Sequence, residues 1–149
     1  MILFKPYHVQ PILKGTKIET RRMGHKRWRK SSIHEAKTDY SGNSRFARIR
    51  IKEEPFQQEL KLMTNTDAKA EGLYTIHDTC KSKHIDKAYI RTFCKRCNHV
   101  NTCYQVVWVN INGSWKPDTK PWVVKFELIE KIVYKPVSTM LRIYNTEFV

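Results

Sequence analysis

The stretch that most constrains the fold is Lys14-Gly15-Thr16-Lys17-Ile18-Glu19-Thr20-Arg21-Arg22, which crowds cations, hydroxyls and one carboxylate behind an apolar opening. Gly15 is the one residue there that enters the left-handed region at little cost, so the chain turns sharply at it. Ile18 to Arg22 then alternates in character and reads as a strand, with Ile18, Thr20 and Arg22 on one face and Lys17, Glu19 and Arg21 on the other. Cations and a hydroxyl on a turn plus strand either converge on an anionic ligand or form a solvated basic hairpin.

Charge favours a polyanionic partner. The net charge is +14, and residues 1–52 carry fourteen Lys/Arg against three Asp/Glu, while residues 53–149 carry fourteen against eleven. A positive field concentrated in one third of a chain suits nucleic acid; the alternative is a basic surface that serves solubility. At 149 residues the chain reads as one domain, 1–149, large enough for a real core. No apolar run approaches the ~18 residues of a membrane span, and Met1 to Phe4 meets Pro6 too soon for a signal peptide. A soluble, cytoplasmic protein is the expectation.

Punctuation by Gly and Pro gives the element plan. Met1–Phe4 is a strand candidate, and a helix begins near His8 with Pro11 in its first turn and Gly15 at its end. Strands are expected at about 32–38, 46–51, 58–62 and 122–128, the last continuing past a bend toward 134. In the 46–51 strand, Phe46, Arg48 and Arg50 oppose Ala47, Ile49 and Ile51. Thr64 with Asp67 three residues on is a capping-box variant, so a helix spans 65–71 and Gly72 closes it. Glu71 then falls at the negative end of the helix dipole, against its local preference. Tyr104–Ile111 is either a strand or a buried helix.

These blocks, in this order, carry a resemblance. Ile2-Leu3-Phe4-Lys5-Pro6, the Gly15–Arg22 element, Ser32–Lys37, Phe46–Ile51, Asp67–Gly72, Ile111–Asp118 and Pro121–Glu127 together resemble ASCH domains of the PUA-like superfamily. The resemblance implies an α+β fold, a small PUA-like β-barrel with flanking short helices and a cleft across it. It also implies an association with RNA. Some ASCH members deacylate N4-acetylcytidine with a Lys, a Thr three residues on and a distant Glu; by position these are Lys17, Thr20 and Glu71. Others are ribonucleases. Two parts depart from the family: a Cys/His-rich insertion at 75–110 and an extension at 131–149.

Three functional readings follow. The first is binding of RNA or a modified nucleoside in a basic cleft, with Lys14, Arg21, Arg22, Arg27, Arg29, Lys37, Arg48 and Arg50 near phosphates, Trp28, Tyr40 or Trp115 stacking a base, and His34 at the ligand or simply hydrogen-bonded. The second is amidohydrolysis, with Thr20 as nucleophile and the Lys17 amine or the Glu71 carboxylate as base. Its bland counterparts are a Lys17–Glu19 ion pair and an ordinary strand threonine. The third is a protein-interaction or inhibitor module acting through the basic face.

All four cysteines lie in one segment. Cys94-x2-Cys97 has zinc-knuckle spacing, Cys103 lies six residues on, and Cys80 or His99 completes a structural zinc site. The alternative is free thiols or one disulfide.

Overall fold

A computed structural model describes residues 1–72 and 100–132. In chain order they form β1 (Ile2–Leu3), a 3-10 turn (Pro6–His8), α1 (Val9–Leu13), β2 (Glu19–Arg22), β3 (Ile33–Lys37), β4 (Arg45–Ile51), β5 (Phe56–Gln57), a second 3-10 turn (Leu60–Leu62), α2 (Asn65–Ala70), α3 (Val100–Asn112) and β6 (Trp122–Lys131). The architecture is a mixed, six-stranded sheet curled into a half-barrel with short helices, an α+β fold. Among the described residues no helix is long and apolar enough to cross a membrane.

The sheet runs β1-β3-β4-β6-β2, with β1 parallel to β3 and the other pairs antiparallel. β6 is its hub. Its first half pairs with β2, from Glu19↔Lys125 to Arg22↔Trp122, and its second half with β4. β5 follows β4 along β6, at Phe56↔Val123 and Gln57↔Trp122. Pro55 stands just before β5, a strand-entry position where its missing N–H costs no ladder bond.

Two irregularities correct the simple alternation expected for β4. Ala36 faces Ala47 while Lys37 faces Arg45, so Phe46 is the extra residue of a bulge and both Phe46 and Ala47 point inward. A second register shift lies between Arg48 and Ile49 against β6. Bulges bend a strand and raise its local twist, which curls a sheet. The core inside the curl includes Phe4, Val9, Ile12, Phe46, Ile49 and Phe126.

The strand expected at 58–62 is absent: the short strand is β5, and Leu60–Leu62 is a 3-10 turn that buries Leu60. The ambiguous apolar run after Tyr104 is helical, within α3. The capping box at α2 forms as expected, the Thr64 hydroxyl accepting from Asp67 N at 3.1 Å and an Asp67 oxygen accepting from Thr64 N at 2.9 Å.

The segment between α1 and β2 is pinned from three sides. The amides of Thr16 and Lys17 both donate to Pro11 O, Ile18 N donates to Ala70 O, and Phe126 N donates to Ile18 O. Lys17 and Glu71 form an isolated antiparallel bridge. Gly72 ends α2 at φ +89°, and a Cβ placed on it would stand 2.9 Å from Lys17 Cβ and 3.1 Å from Pro11 Cβ. Gly15 also has positive φ but open space around it. Gly72→Ala therefore combines left-handed strain with overpacking and is expected to cost about 2–4 kcal/mol, against about 1 kcal/mol for Gly15→Ala. Urea denaturation of the two variants checks the ordering.

Candidate functional site

Glu71 is the C-cap of α2 and is 2% exposed. A carboxylate buried at the negative end of a helix needs cations, and two converge on it from the β2 region. Lys17 Nζ donates to Glu71 Oε2 at 2.9 Å, to Glu71 O at 3.0 Å and to Glu19 O at 3.0 Å, so all three ammonium protons have acceptors. Arg21 Nη1 donates to Glu71 Oε1 at 2.9 Å and to Glu19 Oε1 at 2.7 Å, and its Nη2 donates to Gln58 Oε1 at 2.8 Å. Half-buried Asp67 lies 3.8 Å from the same guanidinium.

Lys17 and Arg21 are thus met by Glu19 and Glu71, with Asp67 as a third, more distant carboxylate on Arg21. Burial pushes the Lys17 ammonium down despite Glu71, and pushes the Glu19 carboxyl up despite Arg21. For Arg21, burial alone would lower the guanidinium, but Glu71 and Glu19 outweigh it and the net is upward.

Arg22 is different. Its Nε donates to Thr20 Oγ1 at 3.2 Å and its Nη2 to Leu3 O at 2.6 Å, while the guanidinium lies 5.0 Å from the Phe4 ring centroid. Leu3 belongs to β1 and Arg22 to β2, the two edge strands of the sheet, so this side chain spans the open seam of the half-barrel. Among the described residues no carboxylate lies within salt-bridge distance of it.

The seam opens into a cavity of about 320 Å³. Its polar wall holds Lys17, Thr20, Arg22 and Glu71, with His8 beside them. Its apolar wall comes from Phe4 and from Tyr104, Val107, Trp108 and Ile111 of α3, whose i, i+3, i+4, i+7 spacing puts them on one helix face. Trp108 is held by its indole N–H, which donates to Ser114 O at 3.1 Å. Burial raises the Tyr104 phenol well above its usual range and drives His8 well below its own, helped by Lys17 and Arg22. The site is a half-open slot: apolar on one wall, hydrogen-bonding and net cationic on the other.

No family model matches this chain, and no curated protein matches it. Among solved structures it is similar to protein EF3133 from Enterococcus faecalis V583, described under the family model DUF984, with a TM-score of 0.49 at 14% identity over 92% of this chain and 87% of that one.

The fold gathers Lys17, Thr20, Glu71, Arg21 and Arg22 at one cavity and disperses the other expected contacts. Trp28 packs in the core and does not line the cavity, which takes it out of base stacking there. Lys37 is also buried. Arg48 and Arg50 point away from the core on β4 and pair with Glu130 and Glu127. His34 shares a hydrogen bond with Ser32 Oγ at 2.8 Å, the local role that was its alternative reading. Lys14, Arg27 and Arg29 are exposed outside the cavity, as is Tyr40. Trp115 is half-buried and lines a separate small pocket with Lys61 and Gln105. Cys80, Cys94, Cys97 and His99 lie outside the described residues. Cys103 falls within α3, but its side chain is also outside what is described, as is the zinc expectation that rests on this set.

Sequence reading missed Phe4, His8, Tyr104 and Trp108. The signal for the α3 pair was present in the helical spacing from Tyr104 to Ile111; nothing local marks Phe4 or His8.

Breaking a buried pair strands a charge, so Lys17→Met and Glu71→Gln are each expected to cost about 3–5 kcal/mol, and the double variant less than their sum. Denaturation of all three checks this. His8 supplies a pH test. Its folded pKa lies below the unfolded value, so as pH falls through about 6.5 the unfolded chain takes a proton that the folded chain refuses, and stability drops. The loss is at most about 1.4 kcal/mol per pH unit, and half-buried His34 adds in the same direction. Stability measured at pH 7.5 and 5.5 is expected to fall less in His8→Gln than in the wild type.

Proposed function

We propose that this protein is a PUA-like, ASCH-type domain that binds a nucleoside, free and modified or presented by RNA, in the seam cavity. The observation that supports it is the pairing of the α3 wall, with Tyr104 and Trp108, against the hydrogen-bonding wall of Thr20, Lys17, Glu71 and Arg22. An aromatic, apolar face opposite convergent polar groups suits a single heterocycle. A slot of about 320 Å³ takes one base with its sugar, not a duplex. The exposed cations Lys14, Arg27 and Arg29 are available to a strand that continues beyond the cavity.

Hydrolysis of an acylated cytosine is the second reading, favoured by one observation: Lys17, Thr20 and Glu71 line the same cavity. In that chemistry Thr20 Oγ attacks the acyl carbon, the amide C–N bond breaks with a proton delivered to the leaving amine, and water then releases the acyl group. Against it stands the full set of acceptors around the Lys17 ammonium, which must give up a proton before Lys17 acts as base. Burial acts in its favour by depressing the Lys17 pKa.

Titration with cytidine and N4-acetylcytidine separates the readings. Ligand is expected to quench tryptophan fluorescence, and Trp108→Ala to weaken binding by roughly 5- to 150-fold, the range of one lost stacking contact. Release of cytidine from N4-acetylcytidine, abolished in Thr20→Ala with binding retained, would establish the hydrolase. An absence of any nucleoside binding by the folded protein would reject both readings and leave the protein-interaction module.

A further inference from the structure

Among the described residues, the cavity holds one half-buried cation with no carboxylate within salt-bridge distance, and three buried polar atoms without a hydrogen-bond partner. The cation is Arg22. Its partners are a hydroxyl and a backbone carbonyl, which use two of its five N–H groups. Lys17 and Arg21 do not share this surplus, because Glu19 and Glu71 match them.

One of the polar atoms, Arg21 Nε, belongs to the set with Glu19 and Glu71; the other two are His8 Nδ1 and Thr38 Oγ1. Both are buried without a hydrogen-bond partner among the described residues, and both residues line the same cavity as Arg22. His8 is 6% exposed. Unsatisfied buried groups are rare in folded proteins, and ones that face a cavity mark places where a ligand atom completes the bond. Their location is coherent. Leu3, which accepts from Arg22, pairs with Lys37, the neighbour of Thr38, and Phe4 N donates to Lys37 O at 2.8 Å. Lys5 lines the cavity as well and is exposed.

We propose that this β1 corner of the cavity, made by Arg22, Thr38 and His8, receives a phosphate group, so that the ligand of the site is a nucleotide and not a bare nucleoside. The inference rests on the nucleoside reading above for the rest of the ligand. A guanidinium fork matches the oxygens of phosphate, and an anion here gives Arg22 the countercharge that no described carboxylate supplies within salt-bridge distance. The phosphate of a free nucleotide and that of an RNA strand present the same chemistry.

Calorimetric titration with cytidine, cytidine 5′-monophosphate, a single-stranded oligocytidine and inorganic phosphate tests this on the wild type, Arg22→Gln, Arg22→Lys and Thr38→Val. The monophosphate or the oligomer is expected to bind at least tenfold more tightly than cytidine, and inorganic phosphate to compete. Preference for the oligomer alone would assign the phosphate to a strand; preference for the monophosphate would assign it to a free nucleotide. Either preference is expected to collapse in Arg22→Gln and to survive in part in Arg22→Lys. Since Arg22 also ties β1 to β2, Thr38→Val guards against a folding artefact. It removes a hydroxyl with no hydrogen-bond partner among the described residues, so it is expected to keep the melting temperature and lose several-fold of the phosphate preference. Equal binding of cytidine and both phosphorylated ligands, unchanged in the variants, would overturn the inference and leave the nucleoside reading standing. Binding of phosphate without cytidine would keep the Arg22 corner and remove the nucleoside reading. No binding by any of the four would remove both.

Discussion

A carboxylate buried at the C-terminal end of a helix is out of place twice, once in the helix dipole and once in the apolar interior. Glu71 holds that position because Lys17 and Arg21 reach both of its oxygens. Most of the local architecture serves this meeting. The 16–18 segment is clamped between Pro11, Ala70 and Phe126 by backbone hydrogen bonds, which delivers Lys17 to the end of α2. Gly72 lets the chain leave α2 without a side chain that would push Lys17 away. Glu19 completes the set by balancing the second cation. An arrangement with two buried cations and two buried anions specifies a single geometry, since any slip leaves a charge unmatched.

The same bookkeeping shapes what the site offers a ligand. A chain with a net charge of +14 invites a picture of a broadly basic cleft. The cavity is more discriminating. Its deepest cations are consumed by the fold, and the β4 cations Arg48 and Arg50 lie outside it, paired on the outer surface. Among the described residues Arg22 remains, with exposed Lys5 also in the lining, and Arg22 remains because its structural partners are neutral atoms. One cation in a half-enclosed slot confers more selectivity than many on an open face, because low solvent exposure strengthens each interaction with it.

The half-barrel explains why the slot exists. β1 and β2 are consecutive in the chain yet occupy opposite edges of the sheet, and the Arg22 side chain, not a backbone ladder, spans the gap. α3 covers that gap with an apolar face, which turns an open seam into a cavity with two unlike walls. Binding and hydrolysis both draw on this shape. They differ in what is asked of Lys17, which the fold employs as a fully bonded cation and which a hydrolase would need as a base.

The sequence by itself determined several of the local elements and the polar side of the cavity, but neither the turn at 60–62 nor the apolar wall. Gly15 and Gly72, the Thr64–Asp67 cap and the β-rich run from Trp122 act within a few residues, and each formed as spacing and steric rules require. Glu71 was legible as a residue set against its helix, although its partners, fifty and fifty-four positions away, were not fixed by any local rule. Only the tertiary structure decided which cations are spent. Lys17, Arg21 and Arg22 look alike in sequence, and their roles diverge because two point at carboxylates and one at a carbonyl across the seam. Trp28 and Trp108 divide in the same way, one into the core and one onto the cavity wall, since burial is a property of how the sheet curls and where a helix lands, not of the residue.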